Sequence, residues 1–465
     1  MTDPGPWQST PADTPSHPPY PRTPPSGAPH FAAAHTVDPA GPHPPGSALS
    51  PSPEYWSHPA PAPHNKRPKG TGLKVTNIIL LCVLALVTVG TLAVFALSIG
   101  ASVFLICGAL ALIPLAICVL TLVWVDRWEP EPTTALLFGF CWGAGMAVVT
   151  TLVVGSWVQP LLMAGNAQAD PDVVGAVIQA PLVEEVCKGA GVLLLFFLRR
   201  RTFDGPVDGL VYAGIIAAGF AFTENILYFG QALRDSDDAA GGLLAIFVVR
   251  GLMSPFAHVM FTGALGVCVG YAARYGGTPL VLGAWVLGLV PAMLLHGLWN
   301  AVTFVGDSFV LMYLVLQVPI FALFITGILL LRRSEARLTR RRLSDYVPPG
   351  WFSQQEVPML ASGAGRRRAL HWARTFGAGS TMKEFIRVAT RLAFTRNRLL
   401  VDAKGAPGSA AAARFARARV QELALLNAAT AARSDLLGRH SAAVYQARTF
   451  QAPTIQAPTI QAPGP

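Results

Sequence analysis

Eight stretches of this chain are apolar almost throughout. They cover about residues 76–98, 101–125, 133–158, 173–198, 206–229, 243–271, 279–303 and 308–331. Each is long enough to cross the ~30 Å hydrocarbon core of a bilayer as an α-helix, which takes about 20 residues. Outside them the pattern changes. Residues 1–74 are rich in Pro, Ser, His and Ala and cannot bury a core. Residues 332–450 alternate Arg with Ala and Leu and read as mostly helical, and residues 451–465 repeat Gln-Ala-Pro-Thr-Ile. The expected fold class is all-α: a polytopic membrane helix bundle of about eight transmembrane helices, a disordered Pro-rich arm (1–74), a transmembrane domain (75–331), a basic, mostly helical cytoplasmic tail (332–450) and a disordered repeat (451–465).

Composition agrees. The chain is 52% hydrophobic and 13% charged, against about 25% charged in soluble domains. The net charge of +10 belongs to the tail, where residues 332–465 hold 22 Lys and Arg against 7 Asp and Glu. A juxtamembrane run, Arg332 to Arg342, suits anionic lipid headgroups. No reader motif accompanies the basic charge, so nucleic acid is not expected as a partner. The first 70 residues contain no apolar core of a signal peptide. Short-loop Lys and Arg fall on alternate sides: Lys66, Arg67, Lys69 and Lys74, then Arg127, then Arg199 to Arg201, then Arg274, then Arg332 and Arg333. That bias places both termini in the cytoplasm. High Ala, Gly, Pro and Arg usage suggests a bacterial source, hence a bacterial plasma membrane. The six cysteines form no CxxC pair and read as small buried hydrophobes.

Few ionisable residues interrupt the apolar runs. Glu184, Glu185 and Lys188 interrupt the fourth, Glu224 the fifth, Arg250 and His258 the sixth, and His296 the seventh. A charge at the bilayer centre costs at least ~2.5–3.5 kcal/mol, so three in five residues imply a use. At ~1.5 Å per residue, Glu184 lies ~15 Å, Glu224 ~8 Å, His296 ~10 Å and His258 ~15–22 Å from the outer ends of their spans. One pocket between midplane and outer leaflet accommodates all four. Glu184 and Lys188 share a helix face at i, i+4, as do His296 and Asn300. An amide one turn from an imidazole suits a developing oxyanion. Ser254, one turn before His258, reads as packing.

Hydrolysis fits these groups. Two His and a Glu are a common zinc set with water as fourth ligand and another Glu as base. Alternatively, a Glu alone activates water, with His and Asn as electrophilic partners. The set Glu184-Glu185-x-x-Lys188, Phe220-x-x-x-Glu224-Asn225, His258 and His296-x-x-x-Asn300 resembles the PrsW intramembrane proteases, relatives of the CAAX-processing and bacteriocin-immunity membrane proteases. The Asp126-Arg-Trp-Glu-Pro-Glu-Pro132 loop and Asp208-Gly-Leu-Val-Tyr212 also look like that family. The resemblance spans roughly residues 75–331. It implies an intramembrane peptidase, of metallo- or glutamate type, cleaving a membrane-anchored protein, in the best-known case an anti-sigma factor. Carried over, Glu184, Glu185, His258 and His296 form the catalytic set, flanked by Lys188 and Asn225. Glu224 is catalytic or a ligand, and Asn300 is the oxyanion partner. A zinc ion, if present, would take His258, His296 and Glu224. Buried charges also build ion-coupled transporters, and a catalytically silent scaffold is the other competing reading. A transporter is expected to show matched internal repeats, and the chain shows none.

Overall fold

The computed structural model describes residues 71–164, 168–200, 202–203, 205–235, 238–403 and 409–450. The expected arm lies outside them except for residues 71–74, which are already helical, and so does the terminal repeat. Every regular element among the described residues is helical. Eight long rods come first: α1 (Thr71–Ile99), α2 (Ala101–Val125), α3 (Thr133–Ala164), α4 (Pro171–Val174, continuing through Gly175–Gln179 into Ala180–Arg199), α5 (Pro206–Asp235), α6 (Ala239–Tyr275), α7 (Thr278–Phe304) and α8 (Gly306–Ser344). Between α1 and α2 the chain reverses at Gly100, whose φ of 91° suits a residue without Cβ.

Seven of the eight rods are long and apolar enough to cross a membrane; α4 is the exception. It is no shorter, but Glu184, Glu185 and Lys188 interrupt its apolar run. A helix with that burden needs neighbours around its polar face, and all three side chains are buried.

The neighbours are arranged about α5. In its most apolar stretch 78% of residues are buried inside the bundle, against 6% for α8. Lipid is as apolar as leucine, so close van der Waals contact rather than water exclusion holds such helices together. Two crossings on α5 show the means. A Cβ on Gly209 would stand 1.9 Å from the Gly266 carbonyl oxygen of α6, and one on Gly143 of α3 would stand 1.8 Å from that of Ile216. Only glycine allows either approach. Leucines such as Leu86, Leu97, Leu105, Leu161 and Leu323 point away from the bundle, where acyl chains would lie.

Four rods contain a wide, π-type turn: Tyr313–Gln317 in α8, Trp142–Ala147 in α3, Gly175–Gln179 in α4 and Phe247–Met253 in α6. The last two immediately precede Glu184 and His258. Such turns, with one extra residue, often mark functional sites because they rotate everything downstream about the helix axis.

The chain does not break at residue 331. The α8 helix carries on to Ser344 and ends in a second core formed with α9 (Glu356–Leu360), α10 (Gly363–Arg374), α11 (Gly379–Asp402) and α12 (Ser409–Phe450). Leu343, Tyr346, Phe352, Met382, Phe385 and Leu426 anchor it, with alanines such as Ala369, Ala373, Ala389 and Ala393 at the helix contacts. The helices of the tail match the expectation; a packed domain in place of merely solvated basic faces does not. This domain docks on the membrane bundle through Arg366. Its Nη1 donates to the Trp128 carbonyl at 3.1 Å, and its guanidinium stacks 3.5 Å above the Trp128 ring. Burial draws the Arg366 pKa down to about 10, which leaves it charged at neutral pH.

Candidate active site

The charged face of α4 meets α5, α6 and α7. Lys188 Nζ lies at the centre, fully buried. It donates to Glu184 Oε2 at 3.0 Å and Glu185 Oε1 at 2.8 Å, and is 3.0 Å from His258 Nδ1. The ring of Phe220 lies 4.1 Å from the same ammonium. Since an ammonium has no lone pair to offer, His258 Nδ1 is the acceptor, and its ring proton sits on Nε2. That proton points at Glu224 Oε2, 2.8 Å away. His296 Nδ1 stands 3.0 Å from Glu185 Oε1, so it carries the proton and its Nε2 lone pair is left open, 4.0 Å from Glu184 Oε2. Phe261 stacks on His296 at 4.8 Å and fixes its plane.

The two adjacent glutamates differ. Glu185 is engaged at both oxygens: one takes Lys188 and His296, and the other accepts from Thr262 Oγ1 at 2.8 Å. Glu184 shares only Oε2 with Lys188, and no described residue bonds its Oε1. Three carboxylates here (Glu184, Glu185, Glu224) face two fixed cations, Lys188 and Arg250. With both imidazoles neutral, one negative charge remains, and a proton or a metal ion can balance it.

The structure brings Glu184, Glu185, Lys188, Glu224, His258 and His296 together. It uses two of the expected residues otherwise. Asn225 Oδ1 accepts from Arg250 Nε at 3.1 Å, while Arg250 Nη2 donates to Glu224 Oε2 at 2.6 Å. Asn300 Nδ2 donates to the Ala176 carbonyl at 2.9 Å, so its amide does not face the cluster. Pro181 supplies no N–H to the carbonyls one turn back, and Asn300 fills that vacancy. Thr262, fully buried, was not foreseen; it stands one turn after His258, and that i, i+4 spacing was the available signal. Ser254 is tied to the Val249 carbonyl at 2.7 Å.

A metal ion would find donors of the right kind. Glu184, Glu185, His258 and His296 each offer one ligand atom, all within 4.8 Å of one another. Glu224, expected as a ligand, stands outside that group: Arg250 and His258 Nε2 occupy it. It fits instead as the carboxylate that orients a ligating imidazole from behind. Lys188 sits where a cation is wanted, so a metal ion would enter with its ammonium turned aside.

A buried Glu/His/Lys cluster inside a bundle of apolar, membrane-length helices is compatible with an intramembrane peptidase. Residues 131–324 match the model of the "PrsW family intramembrane metalloprotease". Residues 131–324 thus form an intramembrane peptidase domain similar to the PrsW proteases. Among curated relatives, "Protease PrsW" of Clostridioides difficile (strain 630) is 25% identical over 211 residues, 45% of this chain and 84% of that protein. "Protease PrsW" of Geobacillus kaustophilus (strain HTA426) is 29% identical over 175 residues, 38% of this chain and 69% of its own length. No solved structure matches.

Proposed function

We propose that the chain hydrolyses a peptide bond of a membrane-anchored protein in a bacterial plasma membrane, with both of its own termini cytoplasmic, and that Glu184 is the general base. The observation that carries this assignment is the asymmetry of the glutamate pair. Both oxygens of Glu185 are engaged, whereas Glu184 keeps Oε1 available within an apolar bundle. Glu184 takes a proton from water as the water oxygen adds to the scissile carbonyl. It returns that proton to the amine as the C–N bond breaks. Lys188 donates to both carboxylates and offsets part of the cost of burying them. Glu185 and Thr262 hold Lys188 and His296 in place, and Glu224 holds His258.

For a zinc-type ion, Glu185, His258 and His296 would be the ligands, a set of three that leaves a position open. Such an ion would supply Lewis-acid polarisation of the attacking water. The alternating Lys and Arg of the short loops support the orientation.

The test is a reporter with a single membrane anchor, reconstituted with the purified full-length chain. Glu184→Gln is expected to lower cleavage by about 10²–10⁴-fold, the usual worth of general acid–base catalysis, with unfolding temperature unchanged. Wild-type turnover in that variant overturns the assignment. Metal content of wild type beside His258→Ala/His296→Ala tests the ligand set: a metal retained in full by the double variant is held elsewhere.

A further inference from the structure

The second notable site is at the opposite end of the bundle from the glutamates. A cleft of about 590 Å³ opens where α6, the extension of α8 and the C-terminal end of α11 meet. Arg337, Arg341 and Arg342 line it, with Ser334, Asn397 and Tyr275. Its volume falls within the range of small-ligand sites, ~300–1,000 Å³.

The cations are not equivalent. Arg342 is engaged, with Nε to Asn397 Oδ1 at 3.1 Å and Nη1 3.7 Å from Asp345. Arg337 and Arg341 are one helical turn apart on one face, exposed, and pair with no described acid. Two unneutralised guanidiniums converging on one cavity make an anion site. The rest of the lining names the anion. Leu338 on α8 and Leu400 and Val401 on α11 add apolar surface on both sides of the cleft, where a free inorganic anion has nothing to gain. The level in the membrane agrees. The apolar run of α8 ends at Leu331, which puts Arg337 about 9 Å beyond the hydrocarbon edge at ~1.5 Å per residue. Tyr275, the last residue of α6, sits at the rim, where the amphipathic rings of a membrane interface sit.

We infer that this cleft binds the headgroup of an anionic phospholipid, the phosphate on Arg337 and Arg341 and the glycerol end against Leu338, Leu400 and Val401. One wall belongs to the membrane bundle and the other to the tail domain, so a bound lipid joins the two. The inference does not depend on the protease reading.

The experiment uses the full chain in nanodiscs of phosphatidylcholine, alone or with phosphatidylglycerol. Three proteins are compared: wild type, Arg337→Gln/Arg341→Gln, and Arg333→Gln/Arg340→Gln, which removes the same charge from exposed positions outside the cleft. Unfolding in phosphatidylcholine alone is the folding control. Phosphatidylglycerol is expected to raise the unfolding temperature of wild type and of the Arg333/Arg340 variant. Loss of two arginines near the surface should weaken binding about 30-fold and abolish the shift in the Arg337/Arg341 variant. Equal effects of both variants would mean diffuse attraction to the surface and overturn the site, as would no effect of either. A comparable shift from inorganic phosphate, in phosphatidylcholine alone, would make it a site for free anions and overturn the lipid assignment.

Discussion

Two regions of this molecule bury charge, and they do so differently. In the tail, Arg433 reaches Glu356 through two nitrogens at 2.7 and 3.0 Å and the Trp351 carbonyl at 2.8 Å. Arg366 bonds the Leu360 carbonyl at 2.7 Å, the Thr390 hydroxyl at 2.6 Å and the Trp128 carbonyl. Each of these two guanidiniums is held by several acceptors packed around it. In the membrane cluster, Lys188, Glu185 and Thr262 are equally satisfied, yet Glu184 Oε1 and His296 Nε2 are left over on the same side. Burial of charge therefore does not by itself mark chemistry. What marks it is an unspent lone pair held rigidly by groups that are spent.

The largest break in that comparison is Lys188→Met. It leaves two carboxylates uncompensated inside the bundle, a loss of about 3–5 kcal/mol for a broken buried pair. Cleavage should vanish and the unfolding temperature should drop together; a stable, active variant would mean that the ammonium is dispensable. Arg433→Met comes next. It strands Glu356 in the tail, at about 3 kcal/mol, and should lower the unfolding of the tail while leaving cleavage near wild type in membranes. Thr262→Val removes a bond to a carboxylate, about 1.5–3 kcal/mol, so cleavage should fall about 10-fold or more and recover in Thr262→Ser. A failed rescue by serine would show that the methyl group, not the hydroxyl, matters. The smallest effect belongs to Asn300→Ala. Leaving the Ala176 carbonyl without its donor costs about 1–3 kcal/mol, so stability should fall before catalysis does. If Asn300→Ala instead lost cleavage at unchanged stability, its role would be at the reacting carbonyl after all.

The spans were readable because lipid imposes one rule on all of them, a long apolar run per crossing. The glutamates and histidines were readable because they break that rule. Thr262 was not, since threonine at depth is common and its partner Glu185 lies 77 residues away on another helix. The role of Asn300 was misread from a local spacing; the carbonyl it serves exists only where α7 passes α4 at Pro181. The tail's core escaped notice for a third reason. Alanine is its commonest residue, interleaved with arginines whose polarity dominates any average, although Met382, Phe385, Ala389 and Leu392 fall on one helical face.

The unbroken segment Val318–Ser344 has a mechanical consequence. Its 27 residues make a rod of about 40 Å at ~1.5 Å per residue, with its outer half in lipid, Thr339 accepting from Trp128 Nε1 and Leu343 set in the tail core. A bilayer that thins tilts such a rod to match its apolar length. Because the far end is gripped, tilt would load α11, on which the rod packs, and, through Thr339, the loop at Trp128 that leads into α3. The tail would then act as a lever arm whose load is the thickness of the membrane.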